Sequence, residues 1–285
     1  MDPGIELVFA AEDFRDHYER KAFYLRHNLA GHPLFSLDAL IDLANRLPPE
    51  FLEFNAGDVP ASLRAGKRAS HQLSAAETIR RIRDCSTWLG LKRIEQIPEY
   101  RAVVENILSI LRPHIDPSFP GMRSIEAFVF VTSPNSTVPF HMDPEHNFLF
   151  QLQGRKHFIT FPRDALREQD FERHYLTWER RMELSNDLLA AADDLILEPG
   201  QAIHVPINSP HYVRNDDEIS VSVSITFQTP AARRREMVYK INGQLRKLGL
   251  KPTPFAVSPA RDKLKIAMYN WLVKIGIIRL SGRRT

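Results

Sequence analysis

The chain has 285 residues, of which 43% are hydrophobic and 26% charged, and its formal net charge is +3. This composition is typical of a globular protein and excludes a disordered chain. The only cysteine is Cys85, which excludes an intramolecular disulfide and a cysteine-rich zinc module. The acidic N-terminal stretch 1–6 lacks the pattern of a signal peptide, so we expect a reducing, cytoplasmic location.

Residues 1–120 are predicted to form a helical N-terminal region that packs on the core. The stretch 12–29 places aromatic residues among charged ones, as an amphipathic helix does. Ser74 and Glu77 have the spacing of a capping box, in which each side chain satisfies a backbone donor. Pro98 then begins a periodic apolar stretch that continues to Leu111.

Residues 121–230 change to a β-type pattern. The stretch 125–161 is rich in aromatic and β-branched residues, and 219–227 alternates between apolar and polar residues throughout. Between them, residues 163–195 return to a charged helical pattern. We therefore predict a β core with a helical insertion at 163–195.

Residues 231–285 are predicted to form a basic, helical C-terminal region with 14 Lys or Arg and 2 acidic residues. Such a region could bind nucleic acid, an acidic lipid surface or a second copy of the chain. The apolar stretch 266–280 is shorter than the roughly 20 residues of a spanning helix, and it contains Lys274 and Arg279. We expect no transmembrane segment and no nucleic-acid binding, and we predict a packing helix that also allows a homodimer.

The β core contains candidate metal ligands. His141 and Asp143 are two residues apart, so on a strand both side chains project from one face. A histidine, a carboxylate and one more histidine form the facial triad of non-haem iron(II) oxygenases. His204 and His211 are the two candidates for the third ligand.

The stretch 198–215 resembles the second conserved motif of the cupin superfamily. That motif is glycine, five residues, proline, one residue, glycine, two residues, histidine, three residues and asparagine. Gly200, Pro206, His211 and Asn215 match it, and Asn208 replaces the second glycine. The resemblance implies that His211, rather than His204, is the third ligand.

The stretch 141–162 resembles the Jumonji-C and cupin-like oxygenases, and its pattern is similar to that of the asparaginyl hydroxylase that inhibits hypoxia-inducible factor. Lys156 lies fifteen residues after the first histidine, where that family has a lysine that pairs with the distal carboxylate of 2-oxoglutarate. Asn147 matches a second cofactor contact. Two family positions differ, since a threonine is Val138 here, beside Thr137, and an asparagine is Thr226. Thr226 is the third predicted cofactor residue.

The resemblance covers about 110 residues and implies a β-rich α+β fold, a double-stranded β-helix (a cupin-like jelly roll) with flanking helices. It also implies a dioxygenase that uses iron(II), 2-oxoglutarate and O2. His141, Asp143 and His211 would hold the iron, and a protein or peptide side chain is the expected substrate. The alternatives are a free amino acid or small metabolite as substrate, or a non-catalytic cupin-like binding or regulatory protein.

The insertion 163–195 is the candidate substrate-recognition element, and a plain surface helix is the alternative. Its charged and aromatic residues are Arg173, His174, Tyr175, Trp178, Arg180 and Arg181.

Overall fold

A computed structural model describes residues 4–62, 69, 72–177 and 184–278. The predicted recognition residues Trp178, Arg180 and Arg181 lie outside the described residues, as do residues 279–285 of the basic region. The strands in the described part are β1 (Leu7–Val8), β2 (Phe23–His27), β3 (Leu52–Ala56), β4 (Thr87–Lys92), β5 (Arg123–Thr132), β6 (Thr137–His141), β7 (His146–Gln153), β8 (Lys156–Thr160), β9 (Asp193–Leu197), β10 (Gln201–Val205), β11 (His211–Asn215) and β12 (Ser220–Gln228). The helices are α1 (Ala11–His17), α2 (Leu37–Arg46), α3 (Ala75–Arg80), α4 (Pro98–Ile115), α5 (Glu168–Thr177), α6 (Asn186–Ala190), α7 (Pro230–Lys247) and α8 (Pro259–Lys274).

The strands form two antiparallel sheets that together make the predicted double-stranded β-helix. The larger sheet has the order β1-β2-β10-β7-β12-β5-β4-β3, and the smaller has the order β6-β11-β8-β9. Chain connections cross repeatedly between the sheets from β5 to β12, which is the winding of a jelly roll. The fold prediction is confirmed. Within the described residues, no helix is both long and apolar enough to span a bilayer.

The N-terminal region differs from its helical prediction, because β1 to β4 extend both ends of the larger sheet. The stretch 12–29, predicted as one helix, contains α1, a turn with Glu19 at φ 62°, and then β2. Within β2, Phe23 and Leu25 are buried and Tyr24 is exposed. The hydrogen bonds that β2 makes with β10 explain the difference, since this pairing partner is distant in sequence and local spacing does not reveal it.

Strand β12 carries chemically different side chains on the two faces of the larger sheet. Its apolar residues point to the outer face and pack under the N-terminal helices, and they are Val221, Val223, Ile225 and Phe227. Its polar residues point into the barrel, and they are Ser220, Ser222, Ser224 and Thr226. The strand predicted from the alternation at 219–227 is therefore present, with a row of hydroxyl groups on its inner face.

The C-terminal helix α7 is tied to the rest of the chain by ion pairs. Arg235 reaches Glu19 at 3.1 Å, and Arg246 pairs with Glu172 of α5, a side chain that is almost fully buried. The basic charge of this region is thus partly neutralised by acidic residues of the body. These pairs fix α7 against α5 and against the turn that precedes β2.

The turn between β7 and β8 depends on a glycine. Gly154 has φ 70°, and a Cβ there would lie 2.4 Å from the carbonyl oxygen of Ile219. Gly31 has a similar φ of 77°, but a Cβ there would meet nothing within 4 Å. We expect Gly154→Ala to lower the free energy of unfolding by about 2–4 kcal/mol, and Gly31→Ala by roughly 1 kcal/mol, because only the first adds a clash to the backbone strain. Chemical denaturation checks this, and equal losses would contradict it.

Candidate metal centre and cofactor pocket

The structure brings His141, Asp143 and His211 together at one end of the barrel. The Nε2 atom of His141 lies 3.9 Å from Oδ1 of Asp143, and Nε2 of His211 lies 3.8 Å from Oδ2. The ligand atoms of all three residues lie within 4.8 Å of one another. The histidines are buried and Asp143 is partly exposed, so one side of the group is open.

A β-bulge in β6 turns His141 into the barrel. On β11, His211 and Val213 are two residues apart, whereas their partners on β6, His141 and Val138, are three residues apart. The extra residue lets both His141 and Val138 face inward, where strict alternation would send one of them outward. Pro139 lies inside the bulge, one of the few strand positions that tolerate proline.

Both histidines are held with Nε2 directed at the site. His141 Nδ1 lies 2.7 Å from the carbonyl oxygen of Pro139, and His211 Nδ1 lies 2.9 Å from that of Ser209. A carbonyl oxygen can only accept, so each Nδ1 donates and each Nε2 keeps its lone pair. Phe158 stacks on the His211 ring at a centroid distance of 4.6 Å, which further fixes its orientation.

His204 lies away from this group. It is fully buried on the outer face of the larger sheet, where its ring packs against Tyr18, Phe23 and Phe148. The structure thus favours His211 over His204 as the third ligand, as the cupin resemblance implies.

Lys156 points into the barrel from the start of β8. Its side chain is buried, and its Nζ donates a hydrogen bond of 2.6 Å to Ser222 Oγ. Among the described residues, no carboxylate lies within salt-bridge distance of that Nζ. Burial lowers the pKa of Lys156 to about 7. A buried amine with this environment is suited to an anionic ligand, which would restore its charged form.

The other two predicted cofactor residues have different surroundings. Asn147 is buried on the inner face of β7, and its Oδ1 accepts a hydrogen bond of 2.7 Å from Ser224. Thr226 is the cross-strand partner of Asn147, and its hydroxyl donates to the carbonyl oxygen of Glu126 at 3.3 Å. Both side chains therefore lie on the inner wall, and the hydroxyl of Thr226 already has a backbone partner.

Two inner-wall residues were missed by the sequence interpretation. Ser222 binds Lys156, and Ser224 binds Asn147. Their signal was present in the alternation of β12, whose polar positions from Ser220 to Thr226 are all small hydroxyl residues. Val138 adds an apolar wall, while Thr137 pairs with the exposed Arg214 and so lies on the outer face.

Part of the chain is similar to a known domain family. Residues 106–234 match the sequence profile of the JmjC domain. This agrees with the predicted resemblance to Jumonji-C oxygenases, while the specific likeness to the asparaginyl hydroxylase stays a prediction.

Two curated relatives match over part of the chain. The chain is 35% identical over 101 residues to lysine-specific demethylase 8 of Danio rerio, which covers 32% of this chain and 25% of that protein. It is 28% identical over 123 residues to lysine-specific demethylase JMJ30 of Arabidopsis thaliana, covering 39% of this chain and 28% of that protein. The matched segments thus span about a quarter of each relative's length.

Solved structures match over nearly the whole chain. The Escherichia coli protein YcfD aligns with 98% of this chain and 70% of its own, at a TM-score of 0.57 and 16% identity. The structure of YcfD, a ribosomal oxygenase, in complex with cobalt and 2-oxoglutarate aligns with 94% of this chain and 68% of its own, at a TM-score of 0.53 and 17% identity. At these identities the likeness establishes the fold.

The residues of this candidate site fit iron(II) and 2-oxoglutarate. Two neutral imidazoles and a carboxylate are a donor set that leaves coordination positions open. The separations of 3.8–3.9 Å between the histidine Nε2 atoms and the Asp143 oxygens bring the three donors close enough to share one ion after a small adjustment. On the pocket side, the buried Lys156 and the hydroxyl groups beside it offer hydrogen-bond donors to the distal carboxylate of a dianion.

The pKa of Lys156 predicts how 2-oxoglutarate binding depends on pH. A bound carboxylate favours the ammonium form, so binding takes up a proton when the pH is above about 7. We expect the affinity for 2-oxoglutarate to fall roughly tenfold from about pH 6 to about pH 8. Calorimetric titration of the manganese-loaded chain measures it. Lys156→Arg keeps its charge over this range and should remove the pH dependence, whereas an unchanged affinity in the wild-type chain would contradict the prediction.

Proposed function

We propose that this chain is an iron(II)- and 2-oxoglutarate-dependent dioxygenase that hydroxylates an unactivated C–H bond, on a protein or peptide side chain. One observation carries the proposal. Three convergent metal ligands and a buried lysine, which has no carboxylate partner among the described residues, occupy the same barrel. A metal and a dianionic cofactor bound side by side require both features. A metal site alone would not require the buried lysine, and a structural lysine would not require the three ligands.

Each residue has a defined part in this function. Iron(II) with 2-oxoglutarate supplies the activation of dioxygen, with succinate and carbon dioxide as co-products. His141, Asp143 and His211 would hold the iron, and Lys156 would bind the distal carboxylate and orient the cofactor. Phe158, stacked on His211, and the apolar residues deeper in the barrel exclude water from that side. The open side at Asp143 leaves access for a substrate.

A cavity lies close to the candidate ligand His211, although none of the three candidate ligands lines it. It measures about 650 Å³ and is bordered by Thr160 and Ser209, which flank His211 in the sheet and in the chain. Arg163, Leu166 and Phe171 of the insertion line the same cavity. The insertion therefore borders a cavity next to His211, which supports its proposed role in substrate recognition.

The relatives' names agree with action on a macromolecule. Two are lysine-specific demethylases, and a structural neighbour is a ribosomal oxygenase. Hydroxylation of a free amino acid or small metabolite is the alternative within the same chemistry. A non-catalytic cupin-like binding protein is the alternative from another class, and the complete ligand set together with Lys156 argues against it.

Succinate formation tests the reaction class. The wild-type chain with iron(II), ascorbate and 2-oxoglutarate in air should form succinate, since such sites decarboxylate slowly without substrate. His211→Ala should lower the rate more than about 100-fold, because losing a metal ligand exceeds the roughly 10–100-fold effect of changing its outer partners. His157→Ala is the matched control, because that histidine lies on β8 but faces outward, where it pairs with Asp194 and Asp216.

Each outcome of this assay has a consequence. Equal rates in the wild-type chain and His211→Ala would contradict the assigned ligands. Absence of both succinate and 2-oxoglutarate binding in the wild-type chain would favour the binding protein. If succinate forms, mass spectrometry of candidate peptides separates two products. Gain of one oxygen atom indicates hydroxylation, and loss of a methylene unit indicates demethylation.

The exposed side of α8 supports the proposed homodimer. Leu264 and Trp271 are 71% and 58% exposed and are seven residues apart, so they lie on one side of the helix. Ile275 and Ile277, just beyond it, are also exposed. A second copy of the chain would cover this apolar surface. The cytoplasmic location also remains a proposal, supported by the presence of a single cysteine.

Sedimentation tests the dimer. We expect the wild-type chain to sediment as a dimer, and the double variant Leu264→Glu/Trp271→Glu as a monomer, because two buried carboxylates would oppose association. A double variant with glutamate at the exposed Lys247 and Lys251 changes charge outside this surface and should remain dimeric. A monomeric wild-type chain at micromolar concentration would contradict the proposal.

A further inference from the structure

The loops that carry the metal ligands are joined by one backbone hydrogen bond. Asn208, in the loop between β10 and β11, donates its N–H to the carbonyl oxygen of Asp143 at 2.8 Å. The acceptor belongs to a metal ligand itself, and His211 follows Asn208 by three residues. A shift of Asn208 would therefore move Asp143 and His211 relative to each other.

Asn208 has an unusual conformation that needs support. Its φ is 60°, a left-handed value that asparagine tolerates better than most residues but that still costs energy relative to glycine. The side chain is fully buried. Its Oδ1 accepts a hydrogen bond of 2.8 Å from the hydroxyl of Tyr175, which is also buried.

Tyr175 is held rigidly by the aromatic packing of α5 on α7. Its ring lies 5.5 Å from that of Tyr239, which in turn stacks on Phe171 at 6.0 Å. Met142, the residue between the ligands His141 and Asp143, is buried in the same cluster. The cluster thus contacts one ligand loop through Met142 and the other through the hydroxyl of Tyr175.

We propose that Tyr175 is a positioning residue for the metal centre, acting through Asn208. Its phenol fixes the side chain of Asn208, which keeps the backbone of Asn208 in place to bind Asp143. The insertion between β8 and β9 then has a second role, since besides bordering the cavity it sets the geometry of the ligands. This inference depends on the proposed function only in requiring that the triad binds a metal.

Cobalt(II) binding to the metal-free full chain tests the proposal without any turnover. Tyr175→Phe removes the hydroxyl and keeps the ring, and we expect its cobalt affinity to be roughly tenfold weaker, with an altered visible absorption band. Asn208→Gly keeps the left-handed conformation accessible but loses the acceptor, so it should weaken binding to a similar extent. Both changes interrupt the same series of contacts, which runs from Tyr175 through Asn208 to Asp143. The double variant should therefore bind cobalt no more weakly than Asn208→Gly alone.

Tyr100→Phe is the matched control for a general loss of stability. Tyr100 is a buried tyrosine whose hydroxyl donates to the carbonyl oxygen of Leu34 at 2.7 Å, in the N-terminal region. It should lower the melting temperature about as much as Tyr175→Phe while cobalt affinity and the absorption band stay as in the wild-type chain.

The outcomes are distinguishable. Wild-type cobalt affinity in Tyr175→Phe, or an equal loss in Tyr100→Phe, would overturn the positioning role while leaving the metal centre intact. Additive losses in the double variant would show that the tyrosine does not act through Asn208, which also overturns the proposal. A wild-type chain that binds no cobalt would instead overturn the proposed function, and the positioning role with it.

Discussion

The candidate centre depends on the pairing of β11 with β6. That register sets His211 directly opposite His141, and the bulge around Pro139 supplies the extra residue that turns His141 inward. Without the bulge, Val138 and His141 would point to opposite faces, because side chains alternate along a strand. The side chain of Asp143 completes the group just beyond the strand end. The chemistry of the site therefore depends on one irregularity in an otherwise regular sheet.

A second constraint is that the larger sheet is buried on both faces by different kinds of residues. The outer face of β12 is aliphatic and aromatic, and it is covered by the helices of the N-terminal region. Burial of that face stabilises the sheet, at roughly 25 cal/mol for each Å² of apolar surface removed from water. Since the outer face provides this stabilisation, the inner face can be polar. Ser222 and Ser224 occupy it and face Lys156 of the smaller sheet. Such a polar interior would be costly in a barrel that relied on its interior alone.

The sequence predicts the residues of the candidate metal centre better than the strands and contacts that surround them. Motif spacing is local, so it groups His141 with Asp143 and places Lys156 on an inward strand face without knowledge of the partners. The expected strand does not extend over both ligands, because β6 ends at His141 and Asp143 lies just beyond it. The β2 strand was predicted as helix because its pairing with β10 joins residues more than 170 positions apart. The contact of Tyr175 with Asn208 was not predicted for the same reason. Asn208 was noticed as a replacement for glycine, but only the fold shows that a phenol from the insertion supports it.

The C-terminal region is connected to the elements around the candidate metal centre by ion pairs as well as by packing. Its many basic residues suggest an independent binding surface when they are counted along the sequence. In the structure, however, Arg235 forms an ion pair with Glu19, and Arg246 forms one with Glu172. Glu172 lies on α5, one turn before Tyr175, so the ion pair with Arg246 anchors the helix that holds the ligand loop. Because partly buried pairs are screened by salt much less than exposed ones, we expect this ion pair to depend less on ionic strength than a surface pair does. If Tyr175 positions the ligand loop as proposed, Arg235 and Arg246 belong to the support of the candidate metal centre.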